Sequence, residues 1–139
     1  MDVSYILDDL NDAQRQAVTS ESKKLLVLAG AGSGKTKVLV HRIAWLIKAL
    51  SSSTHSILSV TFTNKAANEM TGRIEQILDQ PIPEMWCGTF HSISNRLLRR
   101  HYKEAGLEKD FSILDSDDQL RVIKRNLKEL DIDEDQWPA

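Results

Sequence analysis

Lys35 and Thr36 stand directly behind a turn, AGAGSGKT from Ala29 to Thr36, in which Gly30, Gly32 and Gly34 alternate with small residues. Glycines there remove side chains where the backbone must curl, and successive amides turned inward at a helix start make a nest for an anion. That geometry suits a polyphosphate. Lys35 would reach the β and γ phosphates as a compact cation, and the Thr36 hydroxyl would ligate the Mg²⁺ that bridges them. The spacing G-x-x-x-x-G-K-[ST] is met except at its first position, where Ala29 replaces glycine. Ala29, Gly30, Ala31, Gly32, Ser33, Gly34, Lys35 and Thr36 are therefore the candidate triphosphate cradle. Lys35 and Thr36 are its catalytic members, and Thr36 is its metal ligand.

Such a cradle needs a strand before it and a helix behind it. LLVLA, Leu25 to Ala29, reads as a strand whose unbroken apolar character suits burial on both faces of a parallel sheet. Val38, Leu39, Ile43, Leu46, Ile47 and Leu50 then recur at mostly i, i+3, i+4 spacing, which predicts a helix from Lys35 to about Leu50. Upstream, Asn11 before DAQRQAV is an N-cap that opens a short helix. Downstream, SSSTHS is a loop, Ile57 to Phe62 a second strand and Asn64 to Leu78 a second helix, completing a βαβα order. QPIPE breaks it with two prolines. MWCGTF is a third short strand, His91 to Glu104 a helix, FSIL an extended segment and Asp117 to Leu130 a last helix. The fold class expected is α/β, a P-loop parallel sheet flanked by helices.

The chain's 139 residues, 41% hydrophobic and 27% charged, have the length and composition of one globular domain. A formal net charge of -2 excludes a uniformly basic nucleic-acid coat but leaves room for local basic faces. Arg96, Arg99, Arg100 and Lys103 form one such stripe at helical spacing, and Arg121, Lys124, Arg125 and Lys128 form another. Each reads first as a solvated helix face and second as a surface for DNA. A single cysteine, Cys87, rules out an intramolecular disulfide, and no Cys/His cluster has zinc spacing; Cys87 with His91 lacks further ligands. The acidic start and the absence of a run of about 20 apolar residues argue against a signal peptide or membrane anchor, so a cytoplasmic protein is expected.

A second chemistry is legible in TFTNKAA. Phe62 has a ring on which a base could stack, and Thr63, Asn64 and Lys65 at a helix start could hold phosphates. On pattern alone Phe62 reads rather as the last core residue of its strand. LNDAQRQAV, AGAGSGKT, TFTNKAANEM and GTFHS, in that order and at these spacings, resemble the superfamily 1 DNA helicases of the UvrD, Rep and PcrA family. The resemblance extends over the whole chain. It implies a RecA-like ATP-binding domain begun by residues 1–90 and the start of a helical insertion subdomain in residues 91–139. It implies ATP and Mg²⁺ as cofactors, with Gln14 reading the adenine edge through its amide and Lys37 in a position usually held by a nucleotide-touching arginine. It also implies that Phe62, Thr63, Asn64 and Lys65, with Thr89, Phe90 and His91 of GTFHS, contact single-stranded DNA.

Hydrolysis needs a Mg²⁺ carboxylate, a glutamate that positions water and an opposing arginine. The one candidate carboxylate, Asp115 after FSIL, follows a run broken by Ser112 and has Ser116 where a second acid should be. The resemblance implies that the acidic motif, later motifs and arginine finger come after Ala139, so that this chain is an N-terminal part, inactive in isolation. The longer protein would be an ATP-dependent 3′ to 5′ helicase acting on single-stranded and duplex DNA in repair or replication, alongside DNA-repair proteins. The alternatives are a small P-loop kinase complete at this length, using Asp115, and a nucleotide-binding module without catalysis.

Overall fold

Side chains that accept from free first-turn amides set where the helices begin. In the computed structural model, which describes residues 3–133, Asn11 accepts from the Gln14 amide at 2.9 Å, and Gln14 Oε1 accepts from the Asn11 amide at 3.2 Å. This reciprocal box opens α1, Asp12–Thr19. Thr63 accepts from the Ala66 amide and opens α3, Asn64–Leu78. Asp115 accepts from the Asp118 amide at 2.8 Å and opens α5, Ser116–Glu129. α2, Lys35–Lys48, is the exception: its N-cap is Gly34 in left-handed conformation, with no side-chain cap. The other elements are β1, Leu58–Thr61, β2, Trp86–Thr89, and α4, Phe90–Arg100, with short 3-10 turns at Ser4–Ile6 and Thr54–Ser56.

The strands β1 and β2 pair in parallel, Leu58 opposite Trp86 through Thr61 opposite Thr89, with α3 as the crossover. The described residues thus form a mixed α/β fold with a two-stranded parallel sheet. The strand expected at Leu25–Ala29 is a correction. That segment is unpaired among the described residues, and Leu26 and Leu28 are 80% and 84% exposed. Apolar character suits a segment for a sheet interior, but a strand exists only where a neighbour supplies the ladder, and none of the described segments pairs with it. The described helices otherwise fall within a few residues of expectation.

The main core is made where α2 crosses α3: Val40, Ile43 and Ala44 meet Ile6, Met70, Ile74 and Leu78, closed below by Ile82 and Met85. A smaller cluster of Leu10, Val18 and Val38 fixes α1 against α2. Arg42 adds a polar tie, donating to the carbonyls of Val18 at 2.7 Å and Ser20 at 2.6 Å, where the end of α1 presents unsatisfied acceptors and negative dipole. β2 approaches α4 closely at Gly88, where a Cβ would lie 2.6 Å from Ser92 Oγ and 3.3 Å from Ile93, so a larger residue would have to turn the Ser92 hydroxyl aside and crowd Ile93.

Contacts divide the chain into two compact units that meet in sequence at Leu97 and Leu98. In the second, Arg99 lies over the Phe111 ring at 4.2 Å, and Arg121 and Arg125 pair with Asp118 and Glu129 of their own helix. No residue of α5 is buried, and Leu120, Val122 and Ile123 are exposed.

Because Ile74 is fully buried between α2 and the sheet, Ile74→Ala is expected to lower stability by about 2–5 kcal/mol in chemical denaturation. A loss below about 0.5 kcal/mol would contradict this core.

Candidate functional site

The segment from Ala29 to Thr36 bends over the open start of α2. Gly32 and Gly34 take φ of 73° and 86°, a region that residues with a Cβ rarely adopt. Ser33 closes the turn, its Oγ donating to the Gly30 carbonyl at 2.7 Å. The lack of a side-chain cap at Gly34 leaves the first-turn amides of α2 without the acceptor that Asn11, Thr63 and Asp115 supply elsewhere. Positive dipole and free donors coincide at this point.

Lys35 lies within the loop, its ammonium donating to the carbonyls of Ala29 at 2.9 Å and Gly30 at 2.6 Å. These are neutral acceptors on an exposed side chain, and an anion in the nest would offer a charged one instead. Thr36 is exposed in the first turn of α2. Among the described residues no group of three or more His, Cys, Asp or Glu side chains could hold a metal ion. A metal at Thr36 would therefore take its remaining ligands from a bound polyphosphate and water.

Gln14 touches the loop directly. Its Nε2 donates to the Ser33 carbonyl at 3.1 Å while its Oε1 serves the Asn11 amide, leaving each end of the amide one further hydrogen-bonding capacity. The side chain packs so near Gly34 that a Cβ there would lie 2.8 Å from Nε2. Lys37 points elsewhere, its ammonium donating to the Asp9 carbonyl at 2.6 Å.

The residues expected to meet DNA divide in two. Thr61 and Thr89 are register partners, so Phe62 and Phe90, the next residue of each strand, leave neighbouring strands at the same end of the sheet. Both rings are exposed, Phe62 at 89% and Phe90 at 60%, which overturns the reading of Phe62 as a core residue. Asn64, Lys65 and His91 are exposed in the first turns of α3 and α4. Thr63 and Thr89 serve the fold: the Thr63 hydroxyl caps α3, and Thr89, 8% exposed, accepts from the Ser92 amide at 3.1 Å. Of the basic stripe on α4, Arg96 is laid over the Trp86 ring at 4.3 Å. Asp115 is the cap of α5 and stands with no metal-binding group.

Sequence reasoning passed over Tyr5, His41 and Arg73, which line one cleft with Lys37. Lys37 and His41 are spaced i, i+4 on α2, a signal present in the sequence, but Tyr5 and Arg73 are brought there only by packing.

The family model for the UvrD/REP helicase N-terminal domain matches residues 10–139. The chain is 59% identical over 138 residues to DNA helicase II of Escherichia coli K12, covering 99% of this chain and 19% of that protein. It is 56% identical over 142 residues to DNA helicase II of Haemophilus influenzae, covering 99% and 20%. It is 49% identical over 130 residues to the ATP-dependent DNA helicase PcrA of Bacillus subtilis 168, covering 94% and 18%. The chain thus spans about a fifth of the length of these relatives. With an uncapped helix start, a glycine turn and a lysine in the turn, and with a match over nearly all of its length, the chain belongs to the UvrD/REP helicase N-terminal domain family.

Proposed function

We propose that this chain is the ATP-binding N-terminal part of an ATP-dependent DNA helicase that moves 3′ to 5′ along one strand and unwinds duplex DNA in repair or replication. The observation that carries the reading is the uncapped start of α2 with Lys35 inside its glycine turn, in a chain 59% identical to a DNA helicase II. Residues 29–36 fit a nucleotide triphosphate: the amides and Lys35 would hold the phosphates and Thr36 would help to hold Mg²⁺. ATP supplies the free energy of movement. Gln14, fixed to the Ser33 carbonyl, would keep the loop in register with the nucleotide base through the capacity its amide retains.

Single-stranded DNA would lie across the end of the sheet at Phe62 and Phe90, whose strands stand about 4.8 Å apart. Exposed rings side by side offer a stacking surface to any base, and Asn64, Lys65 and His91 add phosphate contacts. Thr63 and Thr89 support that surface from beneath by capping the two helices. Residues 1–90 then begin a RecA-like domain, and residues 91–139 begin a helical insertion. This working place is the cytoplasm, with DNA-repair proteins as partners. The kinase reading has less behind it, since one Asp115 oxygen already accepts from the Asp118 amide as the cap of α5.

In the full-length protein, Lys35→Ala is expected to abolish ATP turnover while leaving the fold intact, because among the described residues the ammonium hydrogen-bonds to carbonyls of its own loop. Near-normal turnover would refute the phosphate-cradle assignment. Phe62→Ala should weaken single-strand binding by roughly 1–3 kcal/mol if the ring stacks on a base. The same substitution should leave the thermal midpoint in place, since an 89% exposed ring contributes little to packing. Unchanged strand affinity, or a large fall in midpoint, would sink the stacking role. The isolated 139-residue chain should not hydrolyse ATP; DNA-stimulated hydrolysis above a Lys35→Ala control would show that the chemistry needs no further residues.

A further inference from the structure

α1 has eight residues, too few to hold a helix by its own hydrogen bonds, so its place is set by what fastens it to α2. Two polar fastenings do so, at opposite ends. At the start, Gln14 Nε2 donates to the Ser33 carbonyl in the glycine turn. At the finish, Arg42 Nη1 donates to the carbonyls of Val18 at 2.7 Å and Ser20 at 2.6 Å, and lies 3.5 Å from that of Ala17. A helix C-terminus leaves its last carbonyls without intrahelical donors at the negative end of the dipole, so a half-buried guanidinium there is a charge-assisted tie. Between the two ties α1 buries Val18 alone, against Leu10 and Val38.

We propose that Arg42 is a positioning residue for the nucleotide site, acting through Gln14. The proposal rests on the nucleotide-binding reading above, in which Gln14 meets the base and residues 29–36 the phosphates. Arg42 follows Lys35 by nearly two full turns, so both stand on one flank of α2, about 10 Å apart along the axis. α1 is laid along that flank, from Gln14 beside Gly34 to Val18 beside Arg42. With the guanidinium gone, the Val18 contact is a single pivot, and Gln14, about one turn upstream of Val18, swings with the helix. The Ser33 carbonyl then loses its donor and the Gln14 amide loses its aim. Arg42 also lines a groove with Lys35, so a direct pull on the phosphates is the rival account. Nη1 has two protons, however, and the carbonyls of Val18 and Ser20 take both, which turns the guanidinium toward α1.

The test measures dissociation constants of the Mg²⁺ complexes of ATP and inorganic tripolyphosphate on the full-length protein, with thermal midpoints alongside. Arg42→Ala is expected to weaken ATP about three- to tenfold and to leave tripolyphosphate unchanged, since what is lost is contact to the base. Gln14→Ala should do the same, and the two losses should not multiply in the double substitution, because both remove one contact. Arg42→Lys, whose cation can serve one of the two carbonyls, should recover part of the ATP affinity. A residue that only holds the fold together would instead lower the midpoint and weaken both ligands alike, with or without Gln14. Four results would each overturn the inference: losses that multiply in the double substitution, equal weakening of the two ligands, or normal ATP affinity in Arg42→Ala or in Gln14→Ala. In all four, loss of both ligands in Lys35→Ala keeps the phosphate-cradle reading standing. If Lys35→Ala binds both ligands as the parent does, that reading fails and the inference fails with it. Should Arg42→Ala not fold, Arg42→Gln, which keeps a donor without the charge, takes its place in the same comparisons.

Discussion

A helix start with no side-chain cap answers two opposed demands: its donors stay uncommitted, and the backbone that carries them must still be held. At α2 the first demand is met by Gly34, whose left-handed conformation ends the turn without bringing a capping oxygen. The second is met by everything packed on α2. Val40, Ile43 and Ala44 lock one face against α3, Val38 locks another against α1, and Arg42 ties α1's last turn to the helix flank. Gln14 then reaches from the start of α1 to the Ser33 carbonyl. The rigidity of the loop is thus borrowed from elements on both sides of it.

Helix positions were legible in the sequence because their signals are local. Asn11, Thr63 and Asp115 each accept from an amide three residues on, and each marks a helix start that the sequence places within a residue or two. The glycine turn was legible for the same reason. Leu25–Ala29 was not, because hydrophobic runs report where a segment wants to be buried and a sheet requires a second segment to pair with it. At the candidate site, Phe62's exposure could not be read from alternation at the end of a four-residue strand. Thr89 illustrates the converse: it belongs to a motif associated with DNA, yet its hydroxyl is consumed by the cap of α4. The cleft at His41 was invisible because Tyr5, His41 and Arg73 are far apart in the chain and meet only through the crossing of α2 and α3.

The parallel pairing of β1 and β2 has a mechanical side. Their C-terminal ends carry Phe62 and Phe90, and each strand runs directly into a helix, α3 or α4, whose first turn is capped by a threonine at the junction. Aromatic rings so mounted have little freedom to follow a ligand. A shift of either strand would displace its ring and its helix together, which links what happens at the end of the sheet to the α2–α3 core through α3.

Leu25–Leu28 bears on the handling of the chain itself. Four consecutive aliphatic residues lie exposed and without ladder partners among the described residues. Such a segment is a template for any other extended strand, including its own copy in a neighbouring molecule, and neither proline nor charge interrupts it. Self-association of this chain would therefore rise with concentration and begin at these residues, and a Lys or Glu in place of Leu26 or Leu28 would oppose it. The residues that lead into the glycine turn would thus also govern colloidal behaviour, a property set by backbone left without company.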